Sequence, residues 1–210
     1  MRYATLVNLT CAIALALTLG GQAQADSAGG GYYVELFGGS SSIADTALSG
    51  AVVGTSGFGG GQAFGGAVGY AYGGTPLRAE LEYTYRNGEA DGAAGVTGDY
   101  ASTIVALNGY YDFRPIGGAG VVPYIGAGFG YITEIDFDVA GGAAPGEYSE
   151  RGGFGYQLML GAAYPVSDRW SLTAEVRYFD AGSQTLTSTT GSLSAEYQTL
   201  DIALGTALRF

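Results

Sequence analysis

Residues 199–210, "TLDIALGTALRF", alternate. Leu200, Ile202, Leu204, Thr206, Leu208 and Phe210 fall on one face, and Asp201, Ala203, Gly205, Ala207 and Arg209 on the other. A period of two is the mark of a β-strand whose two sides meet different surroundings. The same test picks out eight segments, near 32–40, 62–72, 77–86, 101–113, 123–134, 154–164, 170–179 and 199–210. Each is long enough to cross a bilayer as a tilted strand, which takes about 9–11 residues. This constrains the chain to an all-β fold.

The connections alternate in length. Residues 41–61, 87–100, 135–153 and 180–198 are long, polar and rich in Gly, Ser and Thr. Between them lie the shorter "GGTP", "RPIGGAGVV" and "PVSDR", which carry Pro76, Pro115 and Pro165. Pro and Gly punctuate turns because one restricts φ and the other frees it. Long loops on one side and short turns on the other are how an outer-membrane barrel is built.

Alternation alone also suits a soluble eight-stranded barrel or a sandwich. Three features favour the membrane. The face opposite the apolar row is mostly small: Ala63, Gly65, Ala67, Gly69 and Ala71, then Gly126, Gly128 and Gly130. A water-bathed face would carry Lys, Thr and Gln, whereas a cramped interior favours small residues with a few long ones reaching across. Aromatics gather at strand ends. Tyr32, Tyr72, Tyr111, Phe113, Tyr164, Trp170 and Phe210 mark the short-turn side, and Phe64, Tyr85, Tyr131, Tyr156 and Tyr178 the long-loop side. Two such belts match the two headgroup levels of a bilayer. Third, the chain stops at Phe210, on the apolar face of its last strand. The expected fold is an eight-stranded antiparallel up-and-down transmembrane β-barrel.

"LRAELEYTYR", residues 77–86, then acquires a meaning. Leu77, Ala79, Leu81, Tyr83 and Tyr85 face lipid, so Arg78, Glu80, Glu82, Thr84 and Arg86 face inward. An Arg turned to the bilayer midplane would cost about 2–4 kcal/mol. The same parity turns in Glu35, Asn108, Asp112, Gln157, Glu175, Arg177, Asp201 and Arg209. Counting from the short-turn end places Arg78, Arg209, Asp112, Glu35 and Glu80 low. Glu82, Glu175 and Arg177 come near the middle, and Asp201 and Arg86 high. Strands three and seven oppose each other in an eight-stranded closure, so Glu80 or Glu82 is expected to meet Arg177. This charge network reads as an ionic filling of a narrow barrel, and alternatively as a charged gate or ion path.

Residues 1–25 read as a secretory signal. Arg2 is its basic start, Leu6 to Leu19 its apolar stretch, and "AQA" (Ala23, Gln24, Ala25) its cleavage site. The expected mature domain is 26–210. Cys11 lies in the leader, so the mature chain offers no thiol. The sequence has no His, and all eight of its basic residues are Arg, so Lys is absent too. That removes the usual general base, the commonest zinc ligand and any Ser–Lys arrangement. No catalytic residue, cofactor site or metal site is expected. "GFGGGQAFGG" (57–66) is not a phosphate cradle, since no helix with a Lys follows; it reads as a flexible loop entering the second strand. The net charge of −11 repels nucleic acid, which is not expected as a partner.

"PYIGAGFGY" (Pro123–Tyr131) and the closing "ALGTALRF" resemble the small outer-membrane β-barrels of Gram-negative bacteria, the OmpA-like, opacity-protein or "porin family" group. The resemblance covers the whole mature chain. It implies residence in the bacterial outer membrane and makes Phe210 part of the signal read by the barrel-assembly machinery. The function expected is a non-enzymatic, monomeric surface barrel that supports envelope integrity. Its partners would be outer-membrane lipids, lipopolysaccharide and an unidentified external ligand, met through acidic loops. Those loops hold Asp45, Glu89, Asp91, Asp99, Asp136, Asp138, Glu147, Glu150 and Glu196, with Arg151 nearly their only counter-charge. They read as a solvated, self-repelling rim, and alternatively as a divalent-cation bridge to lipopolysaccharide. "TLTSTTGS" reads as a solvated fourth loop. A small channel and a lipid-processing enzyme are the competing functions.

Overall fold

The computed structural model describes residues 30–43, 46–50, 54–92, 97–118, 120–140, 145–189 and 191–210. The leader (1–25) and Asp45 lie outside these residues. Ten strands are present: β1 (Gly31–Ile43), β2 (Thr46–Gly50), β3 (Gly54–Ala71), β4 (Leu77–Gly92), β5 (Thr97–Asp112), β6 (Val122–Val139), β7 (Gly146–Glu150), β8 (Gly153–Pro165), β9 (Trp170–Ser188) and β10 (Gly191–Arg209). Eight of them close a ring of antiparallel pairs, β1–β3–β4–β5–β6–β8–β9–β10–β1. The short β2 and β7 add to one end of the ring.

The register can be followed once around the ring. It runs Tyr33, Gly69, Glu80, Asn108, Gly128, Gln157, Phe179, Thr199 and back to β1 at Ile43, ten residues beyond its start. With a rise of about 3.3 Å per residue and strands about 4.8 Å apart, that stagger tilts the strands by about 40°.

The outer surface is apolar. Phe129 is 78 % exposed and Leu204 70 %, with Leu36, Val68, Leu81, Leu107, Leu158, Leu172 and Ile202 exposed beside them. A continuous apolar exterior of this extent is stable against hydrocarbon, not water. Tyr32, Tyr72, Tyr111, Phe113, Tyr164 and Trp170 ring it at the short-turn end, with Tyr32 edge-on to Tyr70 and Tyr111 to Phe113. Phe64, Tyr131, Phe154 and Tyr156 ring the other end. The last strand closes on the first, where the Phe210 N–H donates to the Tyr32 carbonyl at 3.0 Å.

The strands continue well past the upper aromatic ring. β4 and β5 have 16 residues each, β6 has 18, and β9 and β10 have 19 each. Most of 87–100, 135–153 and 180–198, expected as loops, is therefore sheet, and so is much of 41–61. "GFGGGQAFGG" lies within β3, and "TLTSTTGS" spans the tight β9–β10 connection. Three register shifts interrupt the ladders of the extensions: one in β3, where Phe58 pairs with Ala90 and Gly61 with Gly88, and two more in β6 and β9. In β6, Thr103 pairs with Glu134 but Ile104 with Ile132, which leaves Thr133 extra; its hydroxyl donates to the Thr103 carbonyl at 3.0 Å. In β9, Ser183 pairs with Glu196 and Asp180 with Gln198, so Ala181 and Gly182 together face Tyr197. Gly182 has φ 64°, and its N–H donates to Asp180 Oδ1 at 2.8 Å. A bulge inserts one residue and reverses which side chains point inward. Below the bulges Tyr124, Ile132, Arg177 and Phe179 point in; above them Ile135, Phe137, Val139 and Leu186 do.

Candidate functional site

The functional question lies inside the barrel, where charge is buried in the membrane-spanning zone. Of the expected network, Arg86, Arg177, Glu80, Glu82 and Asp201 are buried; Glu35, Arg78, Asp112 and Glu175 are partly so. They form three layers.

The lowest layer centres on Arg78. Its Nε donates to Asp112 Oδ1 and Oδ2 at 3.0 and 2.9 Å, and its Nη1 to Glu80 Oε1 at 3.0 Å and to the Tyr33 hydroxyl at 2.9 Å. Tyr33 in turn donates to Glu80. The guanidinium lies 5.7, 4.6 and 5.0 Å from the rings of Tyr33, Tyr110 and Tyr124. Planar, charged and forked, it satisfies two carboxylates and stacks on aromatic faces at once. Glu35 stands nearby and accepts from Thr173 Oγ1 at 2.6 Å.

The middle layer centres on Arg177. Nη1 reaches across the barrel from β9 to Glu82 Oε1 on β4 at 2.5 Å, while Nη2 holds Glu175 Oε1 at 2.7 Å. Glu82 also accepts from Thr84 at 2.6 Å and from Asn108 Nδ2 at 2.8 Å, and Gln157 Nε2 donates to Asn108 Oδ1 at 2.6 Å. Of the two carboxylates expected to meet Arg177, Glu82 does and Glu80 is taken by Arg78. The upper layer is the pair Arg86–Asp201: Nε and Nη2 both donate to Asp201 Oδ2, at 2.9 and 2.7 Å. Arg86 is 0 % exposed beneath the Phe179 ring, 5.6 Å from its centroid.

Arg209 does not join the network. It lies exposed at the short-turn rim, and among the described residues its side chain forms no ion pair. Being the last residue of β10, it has left the lumen for the water below. The tyrosines were missed as members of the network. Tyr33 shares the parity of Glu35, and Tyr110 that of Asn108, which was the available signal.

The small inner residues are explained by rings. A Cβ at Gly69 would overlap Tyr33, at Gly65 Phe37, at Gly126 Tyr110 and at Gly161 Tyr124. The Gly/Ala face is therefore covered by aromatic side chains and leaves little open space. Cavities found among the described residues measure about 40 and 10 Å³. The smaller, among Glu35, Glu80, Glu175 and Arg177, has room for about one water. Among the described residues no group of His, Cys, Asp or Glu is arranged to hold a metal ion.

Above the membrane zone the outward face of β5–β6–β7 is acidic. Asp99 pairs in register with Asp138, and Asp138 with Glu147. Arg151 pairs with Glu134, and that contact raises its pKa. Partial burial, then Glu134 and Glu147, push the Asp136 carboxyl above its usual range. Glu89 is exposed, whereas Glu150 is partly buried; the side chain of Asp91 lies outside what is described.

The comparisons with known proteins agree with this geometry. A family model described as "Outer membrane protein beta-barrel domain" matches residues 11–210. Outer membrane protein PagN of Salmonella typhimurium is 29 % identical over 124 residues, covering 51 % of each chain; the match thus spans about half the length of that relative. Among solved structures, Neisserial surface protein A aligns with TM-score 0.58 and 18 % identity, covering 87 % of this chain and 99 % of that one. OprG from Pseudomonas aeruginosa aligns with TM-score 0.54 and 15 % identity, covering 86 % and 97 %. At such identities these two show the fold alone. The chain belongs to the outer membrane protein β-barrel domain family and resides in the bacterial outer membrane.

Proposed function

We propose that this protein is a non-conducting, non-enzymatic surface barrel that supports envelope integrity and meets external partners through its folded strand extensions. One observation carries the reading: among the described residues, side chains fill the lumen from the Arg78 layer at the short-turn end to Val139 at the other, and the cavities found between them measure about 40 and 10 Å³. The chemistry of the chain supports the non-enzymatic part, since neither His nor Lys is available as a base. The acidic face of β5–β6–β7 repels polyanions and so narrows the external partner. Outer-membrane lipids and lipopolysaccharide surround the barrel in this reading, the assembly machinery reads Phe210, and the protein acts as a monomer.

The competing reading is a small channel, which drew on the Gly/Ala-rich inner face. The rings laid over those glycines remove the space it needed. The refolded mature barrel in a planar bilayer is expected to show no discrete conductance steps. Regular steps would contradict the proposal.

A further inference from the structure

Above Arg86 the lumen changes character. Ile43 of β1, Tyr100 and Ile104 of β5, Ile132, Ile135, Phe137 and Val139 of β6, Tyr148 of β7, Phe179 and Leu186 of β9, and Leu193 and Tyr197 of β10 form one buried cluster. Phe179 and Tyr197 meet edge-on at 5.9 Å. β3 and β4 are reached through Tyr100, whose ring would meet a Cβ at Gly88 and whose hydroxyl would meet one at Gly61. Among the described residues the cluster therefore spans the bore from β1 and β10 to β5, β6 and β9. The two bulges build it, because without the reversed phase Ile135, Phe137, Val139 and Leu186 would point outward into water.

This plug and the ionic layers are held by different means. The plug rests on the ladders β6–β7 and β9–β10 and on apolar contact. The layers below rest on ion pairs within the spanning zone. Water does not wet a narrow hydrocarbon-lined constriction, which is how hydrophobic gates close a pore. A cavity of about 40 Å³ among its residues is lined mostly by apolar side chains.

We infer that the apolar plug is enough by itself to close this barrel, so that the bore stays shut when the central ion pairs beneath it are neutralised. The inference rests on the closed-barrel reading and adds where the closure lies. Three forms of the refolded mature barrel test it in planar bilayers, each first shown to be folded by its heat-dependent gel mobility. Wild type is expected to be silent. Glu82→Gln and Glu175→Gln with Arg177→Met remove the central cation and both of its carboxylates, so no lone charge of that layer stays buried, and this form is expected to be silent too. Should that form not fold, Arg86→Met with Asp201→Asn replaces it. Adding Phe137→Ser and Leu193→Ser to the neutralised form is expected to produce discrete steps. Conduction by the neutralised form alone, or silence of the form with both changes, overturns the inference. Conduction by wild type contradicts the closed-barrel reading instead, so the two failures are distinct.

Discussion

Arg177 shares one guanidinium between Glu82 and Glu175 and lies over the Phe37 ring at 4.7 Å. Replacing it with Met leaves two buried carboxylates without their cation. Breaking a buried pair from one side costs about 3–5 kcal/mol, although the intact pair adds little net stability. Arg177→Met is therefore expected to lower the urea midpoint of the refolded barrel clearly. Arg151→Met is expected to leave it unchanged, because Arg151 pairs with Glu134 at the exposed surface. Equal midpoints would show that Arg177 is not buried as described. Which charges lie inside was legible in the sequence, since lipid excludes an Arg and the alternation then fixes its side. Their exact partners were not, because stagger decides who meets whom across the lumen. Glu82 and Glu80 share a face, and only the tilt separates their roles. Arg209 shows the other limit: parity is read along a strand, and a strand's last residue no longer has a lumen to face.

At the scale of elements, the eight spanning segments were legible and their upper ends were not. The apolar and small residues alternate cleanly up to the upper aromatic ring, because two different surroundings press on the two faces. Beyond it both faces lie outside the bilayer, and Ser, Thr and Gly read as loop. The signal that remained was a second alternation with its phase reversed: Ile135, Phe137 and Val139 between Asp136 and Asp138. A phase reversal needs a bulge, and Gly182 supplies one with φ 64°. Only glycine, and to a lesser degree Asn, adopts that conformation at low cost. Gly182→Val is expected to lose about 1–3 kcal/mol of stability and Gly182→Asn markedly less. Equal losses in urea unfolding would contradict the bulge. The mutation lies outside the ion-pair layers, so it tests the extension and not the network.

For the whole molecule, a ring of eight strands staggered by ten residues encloses a bore narrow enough to be filled by side chains. This chain fills it twice, with ions where lipid lies outside and with hydrocarbon where water does. The arrangement inverts the surroundings at each level. Where the exterior must be apolar, the charges go in; where the exterior can be polar, the apolar side chains go in. Ala203 and Leu204 test that division most directly, as neighbours on β10 with 8 % and 70 % exposure. The expected mature chain has no cysteine of its own, so a single spin label can be placed at each. In a bilayer, the label at 204 is expected to collide with dissolved oxygen at the high rate of a lipid-facing site. The label at 203 is expected to be shielded and immobile. The reverse order, or equal rates at both, would contradict the account.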